Sequence, residues 1–170
     1  MTVAIPSTSE FNVIASINKY LTASINAFAP PSWLTSLNIV YNMPDGGIQP
    51  PCISLLAMGT NYPMNFQGGN LGDGNMGDLA DGYIDVSAWV TRRTSNWAAQ
   101  LSTLRSIIAA VGVMTRTIPI YDYAVPTTPT LTAYKAKVYS LREELTPDDP
   151  NPDIERARYV LRYGWVARSV

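Results

Sequence analysis

Across residues 82–112 the spacing of apolar positions changes period once, and that change predicts the centre of the fold. Ile84, Val86, Ala88 and Val90 alternate with Tyr83, Asp85, Ser87 and Trp89. A period of two predicts a strand with one apolar and one mixed face. Trp97, Leu101, Leu104, Ile108 and Val111 then recur at steps of four and three, the spacing of one helical face. Thr94 or Ser95 supplies a hydroxyl to cap the first turn, and Gly112 supplies a left-handed stop. A strand feeding a helix in this way carries packing and no chemistry.

The flanking segments extend the pattern. Ser7 and Glu10 have the S-x-x-E spacing of a capping box. Phe11, Ile14, Ile17, Leu21, Ile25 and Phe28 then mark an amphipathic helix ended by Pro30-Pro31. Its other side is Ser, Asn, Thr and Lys19, so it covers a sheet on one side only. Residues 37–41 and 52–58 predict two strands around the turn cluster Met43-Pro44-Asp45-Gly46-Gly47. Ile53, Leu55, Leu56, Ala57 and Met58 do not alternate, as for a strand covered on both faces. Residues 60–82 are dominated by Gly, Asn and Asp, which predicts a long loop. Residues 116–122 predict a short strand that Pro119 confines to an edge or a bulge. After an extended Pro/Thr stretch at 124–132, residues 134–142 and 156–168 predict a hairpin longer than one core requires. Its last strand sends Tyr159, Leu161, Tyr163 and Trp165 to one face and Arg156, Arg158, Arg162 and Arg168 to the other. The expected fold is α+β. A single domain over residues 1–170 holds a mainly antiparallel sheet packed by two amphipathic helices. An N-terminal arm at 1–6, a Gly/Asp-rich loop at 60–82 and an extended C-terminal β-hairpin at 134–168 complete it.

Composition adds two points. Charged residues make up only 15% of the chain against the usual quarter, which suits either a surface partly reserved for partners or an ordinary compact domain. The net charge of −1 also hides an asymmetry. Residues 1–90 hold one base, Lys19, and six acids, whereas residues 91–170 hold eleven bases and seven acids. Either the halves occupy different surfaces, so that copies meet head to side, or the charges intermix in space. No apolar run reaches membrane-spanning length and the N-terminus lacks a signal-peptide pattern, so neither feature is expected.

Candidate chemistry is sparse. Histidine is absent, which removes the commonest general base, triad chemistry and most zinc sites. The single cysteine, Cys52, excludes an internal disulfide and reads as a small buried hydrophobe in an apolar strand. The glycines of residues 68–74 lack the G-K-[ST] ending of a phosphate loop. Asp73, Asn75, Asp78 and Asp81 are the candidate calcium ligands, without EF-hand spacing or its closing glutamate. Glu143/Glu144 and Asp148/Asp149 read as solvated charge. The arginine face of Arg156, Arg158 and Arg162, with Arg92 and Arg93, admits a nucleic-acid stripe. A protein interface pairing these arginines with carboxylates, Asp73, Asp78 and Asp81 among them, suits a pI near 5.3 better. No enzyme and no cofactor are expected.

The order of elements resembles the tail terminator (tail completion) proteins of tailed bacteriophages. The local match is Asp85-Val86-Ser87-Ala88-Trp89 followed by Trp97-Ala98-x-x-Leu101-x-x-Leu104, within a likeness of element order over residues 8–122. The resemblance implies a non-catalytic virion protein that forms a homohexameric ring on the last ring of tail-tube subunits. Such a ring ends tube polymerisation and presents a surface to head-completion or connector proteins at the head–tail joint. DNA then meets the protein only as cargo passing through the ring lumen, and no membrane is involved. The acidic half and the arginine-bearing strand would supply the unlike faces that a ring requires. A different head–tail connector, neck or tube subunit is the nearest alternative. A calcium- or ligand-binding module built on the Gly/Asp loop is an alternative of another class.

Overall fold

A computed structural model describes residues 9–41, 50–61, 77–144 and 151–168. The elements run α1 (Glu10–Phe28), β1 (Asn38–Val40), β2 (Cys52–Asn61), β3 (Gly77–Thr91), α2 (Trp97–Met114), β4 (Thr117–Asp122), β5 (Thr130–Glu144) and β6 (Ile154–Arg168). The six strands form one sheet in the order β1-β2-β3-β6-β5-β4. Only β1 and β2 are parallel; every other neighbouring pair is antiparallel. The α+β single-domain architecture is therefore the one the periodicity predicts.

Alternation sorts each strand's side chains between the helix-covered face and the opposite face. Ile84, Val86 and Ala88 of β3 stand beside Ala57, Leu55 and Ile53 of β2 and beside Leu161, Tyr159 and Ala157 of β6. Apart from the exposed Ala57, this set is buried in one core with Val13, Ile17, Leu21 and Ile25 of α1 and Leu101, Leu104, Ile107, Ile108 and Val111 of α2. Burying each of these larger aliphatic side chains contributes about 1.5–3 kcal/mol.

In α1 the buried stripe differs from the expected one. It steps through Val13, Ile17, Leu21 and Ile25, whereas Phe11 and Phe28 are exposed. A strict four-residue step selects a single stripe, and residues 11 and 14 fall on the helix's outer flank. The N-cap is Ser9, whose hydroxyl accepts the Asn12 N–H, while Ser7 of the expected capping box lies outside the described residues. Asn12 and Ser16 are buried polar residues with a specific task. Asn12 Oδ1 accepts Tyr123 N–H at 3.1 Å and Ser16 Oγ accepts Tyr121 N–H at 2.8 Å. One donor of β4 and one just past its end are thus satisfied by the helix, and Pro119 in the strand has no N–H to offer. Together they close a sheet edge that would otherwise template strand addition. The edge position of β4 and its register shift between Pro119 and Tyr121 are as expected.

Helix α2 begins after Asn96, without a side-chain cap from Thr94 or Ser95, and continues past Gly112 to Met114. Gly112 is not a stop. A Cβ there would lie 2.6 Å from Leu141 Cδ2, so glycine is needed for close approach of the helix to β5. Thr115 ends the helix instead, its N–H and hydroxyl both donating to Val111 O. By length and composition alone α2 could cross a bilayer, contrary to the sequence expectation, but its apolar face packs on the sheet.

Three boundaries also move. The irregular stretch is shorter than residues 60–82: β2 runs to Asn61, β3 starts at Gly77, and Thr60 and Asn61 pair with Gly82 and Asp81. Residues 62–76 lie outside the described part. The run in β2 is covered on both faces only through Leu55, since Ala57 and Met58 are exposed. A bulge between Ala57 and Gly59, with Gly59 at φ +120°, turns the strand there. Finally, the expected C-terminal hairpin forms as β5 and β6, but β6 is part of the core sheet and not an addition to it. It lies inside the sheet between β3 and β5, and Tyr159, Leu161, Tyr163 and Trp165 belong to the core.

Candidate interaction face

The face of the sheet away from the helices is built by the polar half of the same alternation. Cys52, Trp89 and Arg156 lie side by side across β2, β3 and β6, as do Ser54, Ser87 and Arg158, then Leu56, Asp85 and Val160. Although no helix among the described residues covers this face, Ser54, Asp85, Ser87 and Trp89 are buried on it. Arginine side chains from β6 account for much of that burial.

Asp85 is the hub. One oxygen, Oδ2, accepts Arg158 Nε at 2.6 Å and Arg156 Nη2 at 3.1 Å, and Oδ1 accepts the Ser87 hydroxyl. The Arg156 guanidinium also donates to Ser87 Oγ and lies over the Trp89 ring, 4.6 Å from its centre. The Trp89 indole N–H donates to Ser54 Oγ at 2.9 Å. Arg158 reaches further, to Glu144 at 3.1 Å and to Met58 Sδ at 3.3 Å. With its side chain only 5% exposed, Asp85 would be an uncompensated buried charge without these arginines.

Toward one end of the sheet Arg162 pairs with Asp81 at 3.2 Å and sits between the rings of Tyr83 and Tyr139. Arg162, Tyr83, Ser140, Arg142 and Glu144 border a shallow cavity of about 240 Å³. Toward the other end, Arg92 pairs with Glu155 and Arg93 with Asp153, fastening the end of β3 to the start of β6. These outer pairs are exposed, and pairs of that kind contribute about 0–1 kcal/mol each.

All five candidate interface arginines therefore find carboxylates in their own chain. The acids of residues 81 and 85 come from the acidic half and their arginines from the basic half, so on this face the two halves intermix. Asp73 and Asn75 lie outside the described residues. Asp78 is in the β3 ladder opposite Ala167. Asp81 is committed to Arg162, and among the described residues no group of three His, Cys, Asp or Glu side chains could hold a metal ion. The residue that sequence reasoning missed is Asp85. Its alternation with apolar neighbours placed it on the mixed face, but only the pairing of β3 with β6 sets it between two arginines.

Protonation follows burial. The Cys52 thiol is buried and pushed up from 9.0 to about 11. Burial, with Glu143 adding to it, pushes the Tyr159 hydroxyl up from 10.0 to about 12. Neither group is poised to act as a base or nucleophile near neutral pH. Both oxygens of Asp85 accept hydrogen bonds, from Ser87 in its own strand and from Arg156 and Arg158 of β6, so the cluster ties β3 to β6.

No protein-family model matches the sequence, and no curated protein does. Among solved structures the chain is similar to one in the virion of a native gene transfer agent (GTA) particle. The likeness covers 92% of this chain and 98% of that one, at 13% identity and a TM-score of 0.44.

Proposed function

We propose that this chain is a structural protein of a phage-like virion, the tail terminator that caps the tail tube as a homohexameric ring. The observation that carries the proposal is the order of elements. The helix, two strands, Asp85–Trp89 strand, long amphipathic helix and closing strands of the family resemblance occur here as α1, β1, β2, β3, α2 and β4–β6. In this role the protein works by shape and contact, not by catalysis. Its partners are further copies of itself, the tube protein and head-completion proteins, with DNA as cargo in the lumen. It would assemble in the host cytoplasm and remain in the virion at the head–tail joint.

A closed ring needs two unlike surfaces per subunit. Because Asp85 engages Arg156 and Arg158 inside the subunit, the ring contacts fall to more exposed groups, such as Arg93, Arg162 and the outward side of α2 ending in Val113 and Met114. Light scattering on the purified chain, followed by negative-stain imaging, tests this reading. The expected result is closed rings of about six copies, formed alone or on added tube protein. Open-ended tubes would identify a tube subunit instead. A chain that stays monomeric even with tube protein present would overturn the proposal.

A further inference from the structure

On the open face of the sheet the arginines of β6 are neutralised within the chain, and the bases left over stand on β5. Ala136 and Val138 of β5 are buried in the core, so alternation turns Lys135, Lys137 and Tyr139 to the open face. Past the register shift between Val138 and Ser140, Arg142 borders the shallow cavity on that face together with Tyr83, Val160 and Arg162. The acids there are already engaged: Asp85 with Arg156 and Arg158, Glu144 with Arg158, and Asp81 with Arg162. Among the described residues no carboxylate pairs with Lys135, Lys137 or Arg142, and all three are exposed.

The tyrosine rings of this face hold cations and form no apolar pocket. Lys137 Nζ stands 5.9 Å from the centre of the Tyr139 ring, and the Arg162 guanidinium stands 5.7 Å from that ring and 5.9 Å from the Tyr83 ring. Tyr139 lies across β6 with its hydroxyl over Gly164, where a Cβ would come within 2.6 Å of it. A row of like charges along a strand fits an occupant with a regular row of opposite charges. From Lys135 to Arg142 the strand runs about 23 Å. That is the rise of about seven nucleotides in one strand of B-DNA, each with its phosphate. A protein partner suits the row less, because protein interfaces have apolar centres and are depleted of lysine.

We propose that the open face of β5 binds nucleic acid through its phosphate backbone, with Lys135, Lys137 and Arg142 each neutralising one phosphate. Contacts of this kind position a duplex without reading its bases, so binding is independent of sequence. The choice of DNA as the polyanion rests on the virion reading, in which DNA passes the protein, but the contact does not require a closed ring.

The probe is a fluorescein-labelled DNA duplex of mixed sequence, about twenty base pairs long, titrated with the full-length protein from about 20 to about 200 mM salt and read by anisotropy. The log of the affinity should fall with the log of salt at a slope of about −2.7, the value for three phosphates, and a duplex of unrelated sequence should bind equally well. Lys137→Gln should reduce that slope by about 1. Lys135→Gln, Lys137→Gln and Arg142→Gln combined should weaken binding by about tenfold or more at the lowest salt. A control with Lys19→Gln, Arg93→Gln and Arg105→Gln removes as many exposed charges outside β5 and should keep the parent's slope. All these positions are exposed, so circular dichroism of both variants should match the parent. No binding at the lowest salt, or equal weakening by the two combined variants, would overturn the proposal. So would displacement of the duplex by polyglutamate at equal charge concentration, because an acidic protein segment would then be the occupant. Closed rings that ignore DNA would strike this inference alone, and DNA binding by a chain that never closes a ring would strike only the terminator reading.

Discussion

The two faces of one strand solve the same problem in opposite ways. On the helix side, Ile84, Val86 and Ala88 of β3 are buried by apolar packing against α1 and α2. On the other side Asp85, Ser87 and Trp89 are as thoroughly buried, but by guanidinium groups from the neighbouring strand. The apolar face tolerates a change of shape at the cost of a cavity, typically 2–5 kcal/mol for leucine to alanine. The ionic face has narrower terms. Replacing a whole buried ion cluster by apolar groups is often neutral, whereas removing a single member strands its partners. The contrast shows that the arginines of β6 serve first the chain's own fold.

The largest expected effect follows from that asymmetry. Asp85→Ala leaves Arg156 and Arg158 without their shared carboxylate and should cost about 3–5 kcal/mol in urea unfolding. A loss below about 1 kcal/mol would show that the cluster is no more than a surface pair.

A smaller effect comes from protons. Cys52, on the ionic face, and Tyr159, on the apolar face, both hold their protons more tightly folded than unfolded. Their contribution to stability is complete below pH 9 and is lost as pH rises through about 11 for Cys52 and about 12 for Tyr159. Urea midpoints should therefore fall between pH 9 and pH 12, and Cys52→Ala should flatten the first part of that fall. A midpoint independent of pH over this range would contradict the burial of both groups.

Much of the fold was legible because its signals are local. Alternation identified β3 and the inward face of β6, and Pro119 marked β4 as an edge strand. Gly112 misled because glycine's two uses, a left-handed cap and a close approach, look alike until Leu141 is seen beside it. The stripe on α1 misled for a related reason. Phe11 and Ile14 keep a helical spacing with the core residues, and only the position of the sheet shows that they face outward. The charge clusters were the least legible part. Arg156 and Arg158 were recognisable as one face, but which acids they meet depends on strand order, and β6 joins β3 across an intervening helix and two strands. Asn12 and Ser16 were likewise hidden, because their role is to close an edge strand more than a hundred residues away.

The central claim is that opposite charges from the two halves of the sequence meet within one chain, and a double-mutant cycle on Asp85 and Arg158 tests it most directly. Asp85→Ala, Arg158→Met and the double variant would be unfolded in urea at a concentration where light scattering shows monomer. A coupling of about 1–3 kcal/mol between the two positions is the predicted result. Single-variant losses that simply add in the monomer would contradict it, and would leave these arginines open to a partner.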